Sequence, residues 1–289
     1  MTIAHDLIVL ARKMLAQGSP SEAAHCLRGA LRLSPDNLEA HNLIEAHRLE
    51  GNFAEAFGIN ARISPDDDIF RFFANHPSSL NPIRDYLSDG WRTLCELHKI
   101  LETVDRPLGR HTTFLEFACG FGRFSRHLAG ALPPGALHVS DIVPGSVDFL
   151  REQLGVDGFY STAAPEALRA PTRYDAIFVL SLFSHLPRST WGRWLQSLYA
   201  LLAPKGLLIF TTHGTRSAQL AGISLPADGF AFFPTSESSA LSGEEYGCTY
   251  TAPDFVHRTI AASLGPVETR EFPAHFWSNQ DAFVVSRRD

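Results

Sequence analysis

The sequence predicts an α/β protein built on a Rossmann-like seven-stranded sheet, mostly parallel with its last strand antiparallel, and preceded by a small all-α unit of helical-repeat type. Three observations carry this expectation. Strand-like and helix-like stretches alternate from residue 113 onward, which is the pattern of βαβ crossovers. A glycine-bearing bend joins the first of those strands to the helix after it. Ahead of them, within residues 5–64, Gly18 returns as Gly51 and Ala23 as Ala56, close to the ~34-residue period of helix-turn-helix arrays.

The first repeat copy places Leu7, Leu10, Ala11 and Met14 on one helix and Ala23, Leu27 and Ala30 on the next, with Pro35 closing the unit. This stretch resembles tetratricopeptide repeats, most of all in GSPSEAAHCLRGALRLSPDN, although the second copy loses register after Phe57. At least three copies normally share a continuous core, so residues 1–65 are expected to lean on the rest of the chain or to take a protein partner. Asp66-Asp67-Asp68 and the Asn75–Pro82 stretch read as a linker. Apolar residues then return at helical spacing from Ile83 to Val104, giving an entry helix within a 66–112 connecting region.

From 113 to 289 the strands are expected at Thr113–Phe117, Leu137–Ser140, Gly158–Ser161, Asp175–Leu180 and Leu207–Thr212. Helices are expected between them at Arg123–Ala131, Gly145–Leu154, Pro165–Leu168 and Thr190–Leu202. The last two strands, Val267–Phe272 and Ala282–Ser286, are joined too briefly for a crossover helix and should pair antiparallel.

Composition narrows the function. Lys and Arg total 25 against 31 Asp and Glu, a net charge of −6, which offers no basic field for a phosphate backbone, so nucleic acid is not an expected partner. Cys26, Cys95, Cys119 and Cys248 are scattered, with no C-x-x-C pair or metal-ligand spacing. They read as reduced thiols, and no metal is expected. No apolar run approaches the ~20 residues of a bilayer span, and the expected location is cytoplasmic.

The strongest local signal is FLEFACGFGRFSRHLA, Phe114 to Ala129. Small residues Ala118, Cys119, Gly120 and Gly122 come after the strand-ending Glu116, so backbone can approach a ligand, and N–H groups at a helix start favour an anion. Asp141 ends the second strand, where a carboxylate can accept from both hydroxyls of a ribose. These features imply a nucleoside cofactor, but two classes share this geometry. A dinucleotide fingerprint G-x-G-x-x-G is missed only at Ser125; the acid Glu116 before the loop and the antiparallel last strand point the other way.

With those residues in view, the segment resembles motif I of class I S-adenosylmethionine-dependent methyltransferases, an acid followed by G-x-G-x-G, with Ala118 in place of the first glycine. The resemblance runs on through residues 114–286: YDAIFVLSLFSHLP is similar to motif IV, and LYALLAPKGLLIFTTHG to the helix and fifth strand after it. It implies S-adenosyl-L-methionine as cofactor. Glu116, Ala118, Cys119, Gly120 and Gly122 would surround the methionine part, Asp141 and Ile142 the ribose and adenine, and Ser161, Thr162 and Ala163 the adenine edge. Leu180, Ser181 and Leu182 would line the sulfonium region.

In-line displacement at a sulfonium needs mainly proximity and orientation. A hydroxyl acceptor also needs a base, for which His185 and His213 are the candidates. Tyr86 is expected to pack and Arg123 to be a surface helix residue. The aromatic-bearing 214–247 stretch, with Phe230, Phe232, Phe233 and Tyr246, is expected to be an acceptor lid. The expected function is methyl transfer to a small-molecule or glycan-type acceptor. An NAD-dependent oxidoreductase and a catalytically silent adaptor working through the helical repeats are the alternatives.

Overall fold

The structure, a computed structural model, describes residues 2–236 and 241–287. Part of the 214–247 stretch therefore lies outside the described residues, as do the two ends of the chain. Six helices come first: α1 (Ile3–Ala16), α2 (Pro20–Leu33), α3 (Leu38–Ala46), α4 (Phe53–Phe57), α5 (Asp68–Asn75) and α6 (Pro82–Thr103). Their starts are written in local chemistry. Asn37, Asn52, Asp67 and Asn81 accept backbone N–H groups at the starts of α3 to α6, and Pro20 and Pro82 occupy first-turn positions that need no N–H. Gly18 and Gly51 turn the chain between helices with φ of +75° and +88°, a region closed to most side chains.

The first helices pack through Ala11, Ala23, Ala24, Ala30 and Ala40, all wholly buried, whose small size lets the helix axes close in. A second cluster, Ala61, Ile63, Phe70, Ile83, Tyr86 and Leu87, seats α5 and α6 against the chain between them and α4. The expected linker is thus partly helix. Asp67, in the middle of the acidic run, is not a break but the cap of α5, accepting from Ile69 N (2.8 Å) and Phe70 N (3.2 Å).

The remaining elements are β1 (Phe114–Phe117), α7 (Ser125–Ala131), β2 (Leu137–Asp141), α8 (Ser146–Leu154), β3 (Asp157–Tyr160), β4 (Tyr174–Val179), α9 (Arg188–Ala200), β5 (Leu202–Thr212), α10 (Thr215–Leu220), β6 (Phe230–Phe233), β7 (Cys248–Thr251), α11 (Pro253–Leu264), β8 (Glu268–Phe276) and β9 (Gln280–Ser286). Seven strands form one sheet in the order β3-β2-β1-β4-β5-β9-β8. β1 to β5 run parallel, and β9 pairs antiparallel with both β5 and β8, as expected.

Side chains alternate cleanly through the central strands. Ala176, Phe178, Leu207, Ile209, Ala282 and Val284 face the layer of α6, α7 and α8. Ile177, Val179, Leu208, Phe210, Phe283 and Val285 face α9 and α11. Both faces being buried, the strands read as continuous apolar runs.

The structure corrects two expectations. The stretch Pro165–Leu168 is a single 3-10 turn at Pro165–Ala167 rather than a crossover helix: Pro165 can open a helix, but Pro171 biases the residue before it away from helical backbone and so stops one within a few residues. The 214–247 stretch, in which no element was expected, is not without secondary structure. It contains α10 and β6, and β6 pairs antiparallel with β7 in a separate two-stranded sheet. Among the described residues no helix is long and apolar enough to cross a membrane.

Candidate active site

β1 lies between β2 and β4 in the sheet, so the crossovers leaving β1 and β4 depart in opposite directions and open a crevice at their carboxyl ends. A cavity of about 590 Å³ occupies this crevice, a size suited to a small molecule. Fourteen of the fifteen candidate residues line it: Glu116, Ala118, Cys119, Gly120, Asp141, Ile142, Ser161, Thr162, Ala163, Leu180, Ser181, Leu182, His185 and His213. Gly122 does not. It serves packing instead, since a Cβ there would sit 2.2 Å from Leu150 Cδ2.

The bend after β1 is held from both sides. Ala118 N and Cys119 N donate to Ser140 O of β2 (2.8 and 3.2 Å). Asp141 accepts from Gly120 N at Oδ2 (2.7 Å) and from Val143 N at Oδ1 (2.8 Å), so one carboxylate ties the two loops together. Ser125, at the position where a dinucleotide fingerprint has its third glycine, donates to Glu116 Oε2 (2.6 Å). Burial lifts the carboxyls of both acids, that of Glu116 to about 8. Burial also pushes the Cys119 thiol up, which removes it as a nucleophile.

Ala118 and Ser181 adopt left-handed backbone, φ of +62° and +60°, at the tips of neighbouring strands. Strain of this kind collects where a site over-determines the chain; Ser181 N is held by Thr211 Oγ1 (2.8 Å). Left-handed backbone costs an L-residue roughly 1–2 kcal/mol. Ala118→Gly should therefore raise the unfolding free energy by about 0.5–1 kcal/mol, part of the relief being offset by the freer unfolded chain. An unchanged or lower urea midpoint would contradict this.

His185 follows β4, and its Nδ1 lies 2.7 Å from Gly247 O. A carbonyl only accepts, so Nδ1 carries the proton and Nε2 is the basic nitrogen. Tyr246 stacks on the ring at 4.4 Å and 16°, fixing its plane. His213, at the end of β5, has its ring centroid 5.9 Å away. Burial, with the neighbouring His185 adding to it, lowers His213 to about 4, so it is neutral and weakly basic near pH 7.

Residues 115–208 match the family model described as a methyltransferase domain. The chain carries a methyltransferase domain. No curated protein matches the chain. Among solved structures, PigF with SAH is 14% identical, with 89% of this chain and 71% of that one covered at a TM-score of 0.50, a likeness of fold. N-methyltransferase NodS from Bradyrhizobium japonicum WM9, in complex with S-adenosyl-l-homocysteine, is 14% identical over 77% of this chain and 100% of that one, TM-score 0.47. Magnesium protoporphyrin IX methyltransferase (ChlM) from Synechocystis PCC 6803, with bound SAH, is 14% identical over 76% and 93%, TM-score 0.49.

The cavity of the methyltransferase domain is walled in part by residues that sequence reasoning missed. From α5 and its cap come Asp67, Asp68, Ile69, Phe72 and Phe73; Asp89 comes from α6, and Trp277 from the β8–β9 turn. A signal for the first group was present, an Asx cap followed by apolar residues at helical spacing. Tyr86 packs, as expected: it is wholly buried and donates to Asp67 Oδ2 (2.6 Å). Arg123 corrects its expectation. Its side chain is only 13% exposed and lines the cavity. Of the four aromatics expected in a lid, only Tyr246 lines the cavity, while Phe230 is buried against Phe255 at 4.8 Å and anchors the insertion to the body.

Proposed function

We propose that the methyltransferase domain takes its methyl group from S-adenosylmethionine and delivers it to a hydroxyl of an uncharged small-molecule or glycan-type acceptor. The observation that supports this best is the pair of buried carboxyls, Glu116 and Asp141, on either side of the open backbone bend at Ala118–Gly120. The residues present fit an adenosyl amino acid: a Cβ built on Gly120 would meet nothing within 4 Å, leaving room beside the backbone. When bound, the sulfonium supplies an electrophilic methyl group.

The chain's own residues would do the rest. Asp141 and Ile142 would take the ribose and adenine, Ser161, Thr162 and Ala163 the adenine edge, and Glu116, Ala118, Cys119 and Gly120 the amino-acid part. Leu180, Ser181 and Leu182 would shield the sulfonium from water, and alignment there is worth up to roughly 7–11 kcal/mol. His185 Nε2 would take the acceptor's proton, with neutral His213 filling the space beside it. The apolar faces of Ile69 and Phe72 at the mouth of the cavity, 42% and 56% exposed, suit an uncharged acceptor. The carboxyl side chains of Asp67, Asp68, Asp89, Asp141 and Glu245 outnumber the single guanidinium of Arg123 and disfavour phosphate or carboxylate acceptors, nucleic acid included.

In this reading residues 113–289 form the catalytic domain, residues 66–112 join it to the helical unit, and residues 1–65 offer a tetratricopeptide-like surface to a protein partner in the cytoplasm. Calorimetry with S-adenosylhomocysteine and with NAD tests the cofactor. The homocysteine nucleoside should bind in the micromolar range and NAD should not; the reverse order would make the domain a dinucleotide site.

A further inference from the structure

Around the turn between β8 and β9, Ala274, Trp277 and Ser278 adopt left-handed backbone, with φ of +46°, +55° and +56°. Trp277 and Ser278 stand side by side in a turn closed by Asn279 N donating to Phe276 O (3.0 Å). Two left-handed residues in succession normally call for Asn-Gly, because a Cβ crowds this backbone. A tryptophan keeps the position here because its surroundings hold it. Trp277 N donates to Glu96 Oε1 of α6 (3.0 Å), Arg216 Nε of α10 to Ser278 O (3.0 Å), and Ser217 Oγ to Asn279 Oδ1 (2.7 Å). Strain that neighbours over-determine in this way collects at ligand sites, and Trp277, Asn279 and Gln280 all line the cavity.

Strand order tells which part of the cavity this turn serves. With a nucleoside over β2 and β3 and the reacting centre at the tip of β4, the strands next in line are β5, β9 and β8, so their end of the cavity falls to the acceptor. Its polar groups are amides. One end of the Asn279 amide is engaged by Ser217, and no described residue accepts from its Nδ2. Gln280 is buried, its Nε2 3.0 Å from Ser181 Oγ. Arg123, the one Lys or Arg among the described residues that line the cavity, lies over the Trp277 ring, 5.4 Å from the centroid, and is ion-paired with Asp89. Gly90 allows that pairing, since a Cβ there would run into Arg123 O. With its charge matched by Asp89, Arg123 gives a phosphate no counter-ion. An apolar ring would leave the amides unpaired, which costs more than a missing apolar contact. A ring bearing several uncharged hydroxyls satisfies them. We propose that the β8–β9 turn is the acceptor subsite and that its ligand is a neutral sugar ring, with Asn279 Nδ2 donating to one of the hydroxyls and Gln280 and Trp277 walling the ring; this rests on the methyl-transfer reading above.

The test is saturation-transfer NMR on the full chain with S-adenosylhomocysteine bound, titrating methyl glycosides of neutral hexoses, deoxyhexoses and pentoses, the matching hexose phosphates, and phenol and catechol. At least one glycoside should bind, and the phosphates and phenols should bind at least about 10-fold more weakly. Asn279→Ala and Trp277→Asn, the second chosen because asparagine tolerates left-handed backbone, should each weaken that glycoside by about 10-fold while calorimetry finds S-adenosylhomocysteine within about threefold of its wild-type affinity. A merely structural turn would not tell one hydroxyl from another. One monodeoxy form of the glycoside should therefore lose as much with wild type as the parent sugar loses with Asn279→Ala, and that variant should lose no more on the deoxy form. A trisaccharide ending in the same sugar separates the sources: tighter binding than the glycoside identifies the end of a glycan, equal or weaker binding a free sugar, and either supports the assignment. It is overturned if no glycoside binds, if phenols or phosphates bind as tightly, or if both variants bind the sugar as wild type does. Those outcomes leave the cofactor standing as long as S-adenosylhomocysteine still gives heat; absence of that heat removes the cofactor and the sugar subsite together.

Discussion

Asp141→Ala should lower the affinity for S-adenosylhomocysteine by about 100-fold or more. The size comes from the several tasks of one carboxylate. It accepts from Gly120 N on one loop and Val143 N on another (2.7 and 2.8 Å), so removing it leaves two N–H groups of the cavity wall without an acceptor and loosens the bend they shape. It also takes away the group expected to receive the ribose hydroxyls. Asp141→Asn keeps the volume and one carbonyl oxygen but points an amide N–H₂ at a backbone donor, so it should fall between wild type and the alanine variant. Calorimetry measures both. Near-wild-type affinity for the alanine variant would mean that the nucleoside lies elsewhere in the cavity, and the pairing of Glu116 with Asp141 would lose its meaning.

The part of the site made by consecutive residues was open to sequence reasoning because strand, bend and helix succeed one another within a few positions. Glu116, Ala118 and Gly120 needed only the end of an apolar run and the small residues after it. The central strands were legible for a related reason: buried on both faces, they show as unbroken apolar stretches bounded by turns. The features that sequence did not reveal depend on approach between distant segments. Arg123 looks like any exposed helix arginine until Gly90 lets α6 close over it and Asp89 and Trp277 arrive from 34 residues before it and 154 after. The low basicity of His213 likewise comes from enclosure, which no local pattern encodes. Asp67 was hidden differently, since a capping aspartate inside a run of three resembles a solvated break. The β6–β7 sheet was missed because its two short strands are separated by 14 residues without periodicity.

Glu116→Gln is expected to trade cofactor binding for stability, and to do so with a defined pH dependence. Burial lifts the Glu116 carboxyl from 4.5 to about 8, with the charge of Asp141 adding to the lift and the Ser125 hydrogen bond and Arg126 opposing it. Below pH 4.5 the group is protonated in the folded and the unfolded chain, and its burial costs no ionisation energy. As pH rises from 4.5 to about 8, the unfolded chain releases the proton while the folded chain keeps it. Stability therefore falls across this window, by up to about 1.4 kcal/mol per pH unit, and levels off above it. Glutamine does not titrate. The stability difference, variant minus wild type, should grow between pH 4 and pH 8 by an amount on the order of 4 kcal/mol. Any constant packing cost of the amide cancels in that comparison, so urea midpoints for the two proteins across the pH range suffice. A difference that stays flat would show that Glu116 ionises normally in the folded chain. Binding supplies the opposite half of the argument. A ligand ammonium beside Glu116 favours the carboxylate, so wild type should release up to one proton on binding S-adenosylhomocysteine near pH 7, seen as a dependence of the apparent enthalpy on the buffer's ionisation enthalpy, and the glutamine variant should bind more weakly and lose that dependence.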